Sequence, residues 1–247
     1  MRSANKSTEG VLFMKAKRFT ALLLTVACVL FAISASAAGK LTVTQEAFFV
    51  RSFLSYFAGE VYAEVSNTGN KPVAFNGGLL ELFDPNGDSI ESSNLYSCYP
   101  EVLEPGETGY LYVSQSVEDA TKKEDIDDYL LTVTGKSESK KKTIRLKSEG
   151  TFGEYQMSEY FSSYATNAMI TNTSGESAKN ITVVYALFTA DDKLMYVNST
   201  VLYNATLPPD QTIEVNADVS SSLVEAWEAE GIAPAKIVTI AYVEKEV

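Results

Sequence analysis

Three oxygen-bearing side chains alternate along one short stretch of the chain, at Asp84, Asn86 and Asp88. Carboxylate and amide oxygens spaced two residues apart can surround one hard cation, and calcium-binding loops begin with this spacing. The acidic residue that should complete such a loop, eleven positions after Asp84, is replaced by Leu95. The same stretch carries a proline and a glycine, which are typical of a hairpin turn. A turn is therefore the first interpretation, and a calcium site is the alternative.

Tyrosines are concentrated around the segment NLYSCYPEV, which contains Tyr96 and Tyr99 and is followed by Tyr110 and Tyr112. An exposed tyrosine joins a flat apolar ring to a hydroxyl group, and such residues often anchor binding interfaces. We predict that a ligand-binding patch would comprise Tyr96, Tyr99 and Tyr112. The alternative is that these rings cover the edge of a core.

The residue types argue against catalysis. The chain has no histidine, so it lacks the commonest general base and the commonest metal ligand. One of the two cysteines, Cys28, lies in the leader described below, which leaves Cys98 without a disulfide partner. A thiol with no histidine to activate it is expected to be shielded and inert. We predict no enzyme activity and no cofactor; an enzyme that cleaves glycans with two acidic residues is the least favoured alternative.

The first 37 residues resemble an export signal whose translation start is Met14. Basic residues from Lys15 to Arg18 precede an apolar run of 15 residues, Phe19 to Ile33, and Ala35-Ser36-Ala37 fits the pattern of a cleavage site. The run is short for a transmembrane helix, which needs about 20 residues. We predict a protein that is secreted by a bacterium or held at its surface, with membrane contact only through an uncleaved signal. The near absence of cysteine favours a bacterial source.

Acidic residues dominate the part of the chain that would be exported. Removal of residues 1–37 takes away five basic residues and one acidic residue, which leaves 15 basic and 31 acidic residues and a net charge of −16. A surface of this charge repels phosphate backbones, so we expect no nucleic-acid partner.

A long internal repeat indicates that one domain was duplicated. Asn67-Thr68 recurs as Asn172-Thr173, and Leu82-Phe83 recurs as Leu187-Phe188, both 105 residues further along the chain. Solenoid units are shorter, at about 20–50 residues. The predicted organisation is a leader over 1–37, a first domain over 40–138 and a second over 141–247. The polar segment GKSESKKK marks the boundary between the two domains.

Apolar residues alternate with polar ones, as in Val61, Ala63 and Val65, and this period of two predicts strands with one buried face. Several short strands separated by turn residues are typical of a β-sandwich. Apolar residues at helical spacing predict a helix over Ser221 to Glu230, with Gly231 to end it and Trp227 as a core residue. The predicted fold is all-β, with two tandem β-sandwich domains, each with a short helical segment before its last strand; the resemblance described next implies that these domains are immunoglobulin-like.

The stretch LELFD, from Leu80 to Asp84, resembles the F-x-L-Y-D signature of FxLYD-type domains. In the first copy, Asn67-Thr68-Gly69 before the signature and Pro105-Gly106-Glu107 after it also fit that family, whereas the second copy, YALFT, lacks the acid. The resemblance covers each repeat from about its second strand to the proline turn. It implies small immunoglobulin-like domains of secreted bacterial proteins with no general catalytic site.

The predicted function is that of a non-catalytic interaction or spacer protein outside the cell, whose partner is an unknown extracellular protein or glycan. A carbohydrate- or calcium-binding module is the alternative. Both interpretations suit an acidic chain without histidine that consists of two small β domains.

Overall fold

The computed structural model describes residues 39–53, 55–137, 140–158 and 161–247, without the side chains of 156–158, 161 and 162. The predicted leader over 1–37 lies outside these residues. Antiparallel strands dominate the described part, which confirms the predicted all-β, sandwich-like class. The strands are β1 (Leu41–Ser52), β2 (Phe57–Asn67), β3 (Val73–Phe83), β4 (Ser89–Leu95), β5 (Val102–Leu103), β6 (Thr108–Val117), β7 (Asp128–Lys136), β8 (Lys141–Ser158), β9 (Phe161–Thr171), β10 (Ala178–Phe188), β11 (Leu194–Leu207), β12 (Thr212–Val219) and β13 (Lys236–Glu246).

The strands of the first half form two sheets that face each other. One sheet has the order β1-β2-β6; in the other, β3 lies between β4 and β7 and also pairs with β5. The alternating residues of β2 point into the space between the sheets, where they pack with Leu80 and Leu82 of β3. Both leucines are fully buried. The apolar alternation therefore identified the inner face of this sandwich correctly.

The second half is a six-stranded sheet with the strand order β11-β10-β13-β8-β9-β12. Strand β8 is long enough to belong to both layers, because Lys141–Leu146 pairs with β13 and the residues from Lys147 onward pair with β9. Side chains of β9, such as Ile170, pack against Ile181 and Val183 of β10 to form the core.

A short helical segment precedes the last strand of each half, as predicted. In the first half it is a 3-10 turn, Lys123–Asp125, and in the second it is helix α1, Ser221–Ala229. Gly231 has a φ of 71°, which glycine adopts without strain, so the chain leaves the helix there. Trp227 is 1% exposed and lies in a hydrophobic cluster, which confirms its predicted place in a core. Among the described helices, none combines the length and apolar character needed to cross a membrane.

The repeated asparagines form the same hydrogen bonds in both halves. The Nδ2 atom of Asn67 donates to the carbonyl oxygens of Lys71 and Leu103, at 2.8 and 2.9 Å. Asn172 donates in the same way to Glu176 and Leu207, at 2.7 Å each. In each half the asparagine Oδ1 also accepts a backbone N–H two residues later, at 3.0 Å. The sequence repeat is thus a repeat of tertiary contacts, while the exact domain bounds stay a prediction.

Part of the outer face of the β1-β2-β6 sheet is buried as well. Tyr62 and Tyr110, which point away from the first core, join one hydrophobic cluster with Phe188, Tyr196 and Trp227 of the second half. The rings of Tyr62 and Tyr196 are 5.2 Å apart, and those of Tyr110 and Phe188 are 6.4 Å apart. The two halves therefore share a third core.

Polar contacts reinforce this junction where β8 begins. Thr143 Oγ1 donates to the carbonyl of Val102 at 2.8 Å. The guanidinium of Arg145 donates to Glu107 Oε1 at 2.8 Å and to the carbonyl of Thr108 at 3.0 Å. The segment after the predicted boundary is thus a strand that contacts the first half.

Candidate functional site

The tyrosine-rich segment interrupts the edge of the first sandwich. In the second half, β11 runs unbroken to Leu207, whereas in the first half the corresponding path is divided into β4 and β5. The residues between them, 96–101, leave the sheet, and the backbone of Tyr99 pairs with that of Tyr110 through hydrogen bonds of 2.7 and 2.9 Å. The segment is therefore anchored by its backbone and not only by its side chains.

The structure brings together two of the three predicted binding tyrosines. The rings of Tyr99 and Tyr112 are stacked, with centroids 6.3 Å apart. Tyr99 is half-buried against the cluster between the two halves, whereas Tyr112 is 41% exposed. Tyr96 is 85% exposed and lies instead beside Asn76 and Gly77, on a separate shallow groove of the surface. The three residues do not form one patch.

The Asp84 stretch forms the predicted turn. Asp84 Oδ1 accepts the backbone N–H groups of Asn86 and Asp88, at 2.8 and 2.9 Å, and its Oδ2 accepts from the Asn86 side chain at 3.0 Å. Hydrogen bonds from the Asp88 backbone and the Asn86 side chain lower the pKa of Asp84. Within the described ranges, no three acidic or cysteine side chains are grouped closely enough to hold a metal ion. The calcium site stays a prediction without geometric support.

A wide groove beside this turn collects acidic side chains from several elements. It has a volume of about 620 Å³, and its lining includes Asp84, Glu91, Asp119 and Asp125. The Asp125 carboxylate accepts hydrogen bonds from the backbone and hydroxyl groups of Thr121, which lower its pKa. The carboxylates of Asp84 and Asp125 therefore both hold local structure through hydrogen bonds.

A second groove, of about 280 Å³, lies where the two halves meet. One wall is the outer face of the β1-β2-β6 sheet, with Arg51, Glu60 and Tyr112. The other wall comes from β11, with Tyr196, and from the end of β12, with Asp218. Strand pairing places Tyr112 directly opposite Tyr62, so their rings project from the same face of the sheet.

We call this groove between the two halves the junction groove. A buried carboxylate, that of Glu60, lies on its first wall. Glu60 is 6% exposed, and it pairs with the Arg51 guanidinium at 3.2 Å. The Tyr62 hydroxyl donates to Glu60 Oε2 at 2.9 Å. Burial, followed by the negative charge of Glu60, raises the pKa of Tyr62, so its phenol stays a donor at neutral pH.

The opposite wall offers further polar groups. Burial raises the pKa of Tyr196 to about 12. Asp218 is exposed and accepts a hydrogen bond of 2.8 Å from the Tyr155 hydroxyl. Asn198 and Ser220 also line this wall. The groove thus combines aromatic rings with side chains that donate and accept hydrogen bonds.

Sequence reasoning identified Tyr112 in this groove but missed Arg51, Glu60, Tyr196 and Asp218. One signal was available in the internal repeat. At the offset of 105 residues, Glu60 and Tyr62 correspond to Ala165 and Asn167, so the second copy lacks this polar pair. Residues that differ between two copies of one fold are candidates for a role beyond folding.

The predicted shielding of Cys98 is confirmed. The residue is 3% exposed within the first core, and burial raises the pKa of its thiol to about 12. A thiol in this environment is a poor nucleophile at neutral pH, because almost none of it is ionised.

No protein-family model matches the chain, and no curated protein matches it. Among solved structures, the chain is similar to red sea bream transglutaminase, with 13% identity, a TM-score of 0.22 and coverage of 83% of this chain and 31% of that one. It is also similar to a calcium-binding mutant of Bacteroides uniformis beta-glucuronidase 2, with 10% identity, a TM-score of 0.19 and coverage of 74% and 28%. The N-terminal CBM22-1-CBM22-2 tandem domain of Paenibacillus barcinonensis Xyn10C gives 12% identity, a TM-score of 0.14 and coverage of 87% and 92%.

The chain thus spans about a third of the length of the transglutaminase and less of the glucuronidase. Similarities with TM-scores this low carry no argument about function, which must be inferred from the described residues themselves.

Proposed function

We propose that this chain is an exported, non-catalytic binding protein whose two sandwiches act as one rigid unit. The observation that supports this most is the shared third core. Tyr62 and Tyr110, on the outer face of the β1-β2-β6 sheet, are covered by the second half instead of by solvent. A rigid junction holds side chains of both halves at fixed positions, and such preorganisation lowers the entropic cost of binding.

The reactive residue types are engaged in structure. Cys98 is buried with a raised pKa, and the Asp84 carboxylate is occupied by three hydrogen bonds within its turn. The buried Glu60 carboxylate forms an ion pair with Arg51. These arrangements favour binding over catalysis.

Two measurements test the proposal. N-terminal sequencing of the protein recovered outside the cell should begin at Ala38, whereas a chain that stays in the cytosol with Met14 would contradict export. Incubation with glycan and peptide libraries should leave the substrates intact when the products are analysed by mass spectrometry. Turnover that is abolished by one acid-to-amide substitution would contradict a non-catalytic role.

Calcium is tested separately by titration calorimetry. The hydrogen bonds of Asp84 to its own turn predict no binding heat at millimolar calcium, because the carboxylate oxygens already have partners. Heat that disappears in Asp88→Asn would restore the calcium-binding alternative.

A further inference from the structure

We propose that the junction groove is a binding site for a neutral, hydroxyl-rich ligand, namely a section of a carbohydrate chain. The inference rests on the proposed function, since it assigns a ligand class to a non-catalytic binding protein. The groove volume of about 280 Å³ lies just below the range of about 300–1,000 Å³ that is usual for small-molecule sites. It therefore suits a small ligand or a few units of a longer one.

The first argument is the aromatic wall. Tyr112 is 41% exposed at the groove and stacks on Tyr99 behind it, so its ring is supported from within the protein. Tyr196 is 9% exposed and packs against Tyr62, with ring centroids 5.2 Å apart. A tyrosine ring offers an apolar face together with a polar edge, which matches a sugar ring with C–H groups on its faces and hydroxyl groups around its rim.

The second argument is the mixture of polar groups on the walls. Ser114 and Ser220 have hydroxyl groups that both donate and accept, Asn198 has one donor and one acceptor group, and Asp218 accepts. Three of these groups already have a partner in the chain: Asn198 Oδ1 accepts the backbone N–H of Ser199, Ser220 pairs with the Ser222 hydroxyl, and Asp218 accepts from Tyr155, each at 2.8 Å. A ligand would therefore share them, through their second lone pairs and their remaining donors. Sugar hydroxyls both donate and accept, so they are able to pair with each of these side chains.

The third argument is charge. Asp218 and the net charge of −16 in the predicted exported chain oppose an anionic ligand. Arg51 and Glu60 balance each other at 3.2 Å, so this pair adds no net charge to the groove. A neutral ligand avoids the repulsion that an anionic ligand meets.

One polar pair in the groove is present in only one copy of the repeat. Glu60 and Tyr62 are replaced by Ala165 and Asn167 at the equivalent positions of the second half. Removing a carboxylate from water is costly unless it is paired, and Glu60 is paired with Arg51 and with the Tyr62 hydroxyl. The Arg51–Glu60–Tyr62 contacts fix the groove wall on which Tyr112 stands.

The test is a glycan microarray followed by calorimetry with the intact protein. Neutral cello-, xylo- and chito-oligosaccharides are compared with acidic oligogalacturonate and heparin fragments. We expect binding to at least one neutral series and none to the acidic series. Tyr112→Ala and Asn198→Ala should each weaken binding to the best neutral oligosaccharide at least tenfold. Tyr203→Ala, a 75% exposed tyrosine outside the groove, is the matched control and should bind like the unmodified protein.

The outcomes separate the inference from the proposed function. If both groove variants bind a neutral oligosaccharide as well as the unmodified protein does, the groove is not the binding site. That result would still agree with a non-catalytic binding protein. Binding only to acidic glycans or peptides, or to no probe at all, would overturn the ligand class. Cleavage of a bound oligosaccharide would instead contradict the proposed function. Thermal melts of each variant show whether a loss of binding reflects unfolding.

Discussion

At the residue scale, the paired asparagines account for the strongest sequence repeat. Asn67 is 1% exposed and Asn172 is 0% exposed, and each side chain connects its own turn to the strand segment near Leu103 or Leu207. Buried polar groups must keep their hydrogen bonds, because an unpaired one costs about 1–3 kcal/mol. The asparagines are thus retained in both copies for folding.

Replacement of either asparagine by alanine should therefore be costly. We expect Asn67→Ala and Asn172→Ala each to lower the free energy of unfolding by about 2–4 kcal/mol, since two carbonyl groups lose their donor. Urea denaturation measures the change. Asn70→Ala, in the same turn but exposed, should stay within about 0.5 kcal/mol of the unmodified protein. Equal effects at Asn67 and Asn70 would contradict this explanation.

The tyrosines near residue 98 should separate into two classes. Tyr99 packs against the shared core and Tyr96 is exposed, so Tyr99→Ala should cost about 1–3 kcal/mol of stability and Tyr96→Ala less than about 0.5. Thermal melts of the two variants check this. If Tyr96→Ala also lowered the melting temperature, the exposed position of its ring would be wrong.

At the element scale, strand β3 lies so close to β7 that one position accepts only glycine. A Cβ atom on Gly78 would lie 2.1 Å from the carbonyl oxygen of Thr132, which belongs to the neighbouring backbone. The pairing of these strands is already irregular between Phe75 and Gly78. The close approach explains a glycine inside a strand, where glycine is otherwise unfavourable.

Gly78→Ala should consequently force the two strands apart. We expect a loss of stability of at least about 1–3 kcal/mol, measured by urea denaturation. Gly153→Ala is the matched control, because a Cβ there meets no atom within 4 Å. A Gly78→Ala variant as stable as the Gly153→Ala variant would show that the strands separate without cost.

At the scale of the whole molecule, the shared core couples the two halves. Trp227 is the only tryptophan and lies in the second half, so its fluorescence reports that half directly. Leu82 is fully buried in the first core, and Leu82→Ala should cost about 2–5 kcal/mol. We expect the tryptophan transition in urea to move to the same lower midpoint as the circular dichroism signal. A fluorescence midpoint that stays in place would mean that the halves unfold independently.

Buried tyrosines also predict how stability depends on pH. Burial raises the pKa of Tyr62, Tyr185 and Tyr242, and it raises the pKa of Tyr196 and Cys98 to about 12. Since folding favours the protonated form, this stabilisation is complete below the unfolded pKa values, about 8.5 for cysteine and 10 for tyrosine. It should be lost as the pH rises above them. Melting temperatures should therefore fall steadily between about pH 9 and 11. Tyr185→Phe should make the melting temperature fall less steeply with pH. A melting temperature that stays constant over this range would contradict the prediction.

The sequence by itself determined the local features of this protein. Alternation in Val61, Ala63 and Val65 identified strands and their inner face, helical spacing identified α1, and the Asp84 stretch was identified as a turn. These features depend on neighbours within a few residues along the chain, and period and turn chemistry are properties of such short windows. The 105-residue repeat likewise indicated that each half forms an equivalent set of internal contacts.

Only the tertiary structure decided what covers the second face of each sheet. Tyr62 and Glu60 alternate with the core residues of β2, so the sequence alone placed them on an outer face and left their surroundings open. The later part of β10, from Val183 to Phe188, is buried on both faces. One face packs into the core of the second half and the other into the cluster that both halves form. The junction groove joins Tyr112 to Tyr196 and Asp218 across more than 80 residues of chain. No short-range rule relates side chains at that separation, because their proximity arises from packing between sheets.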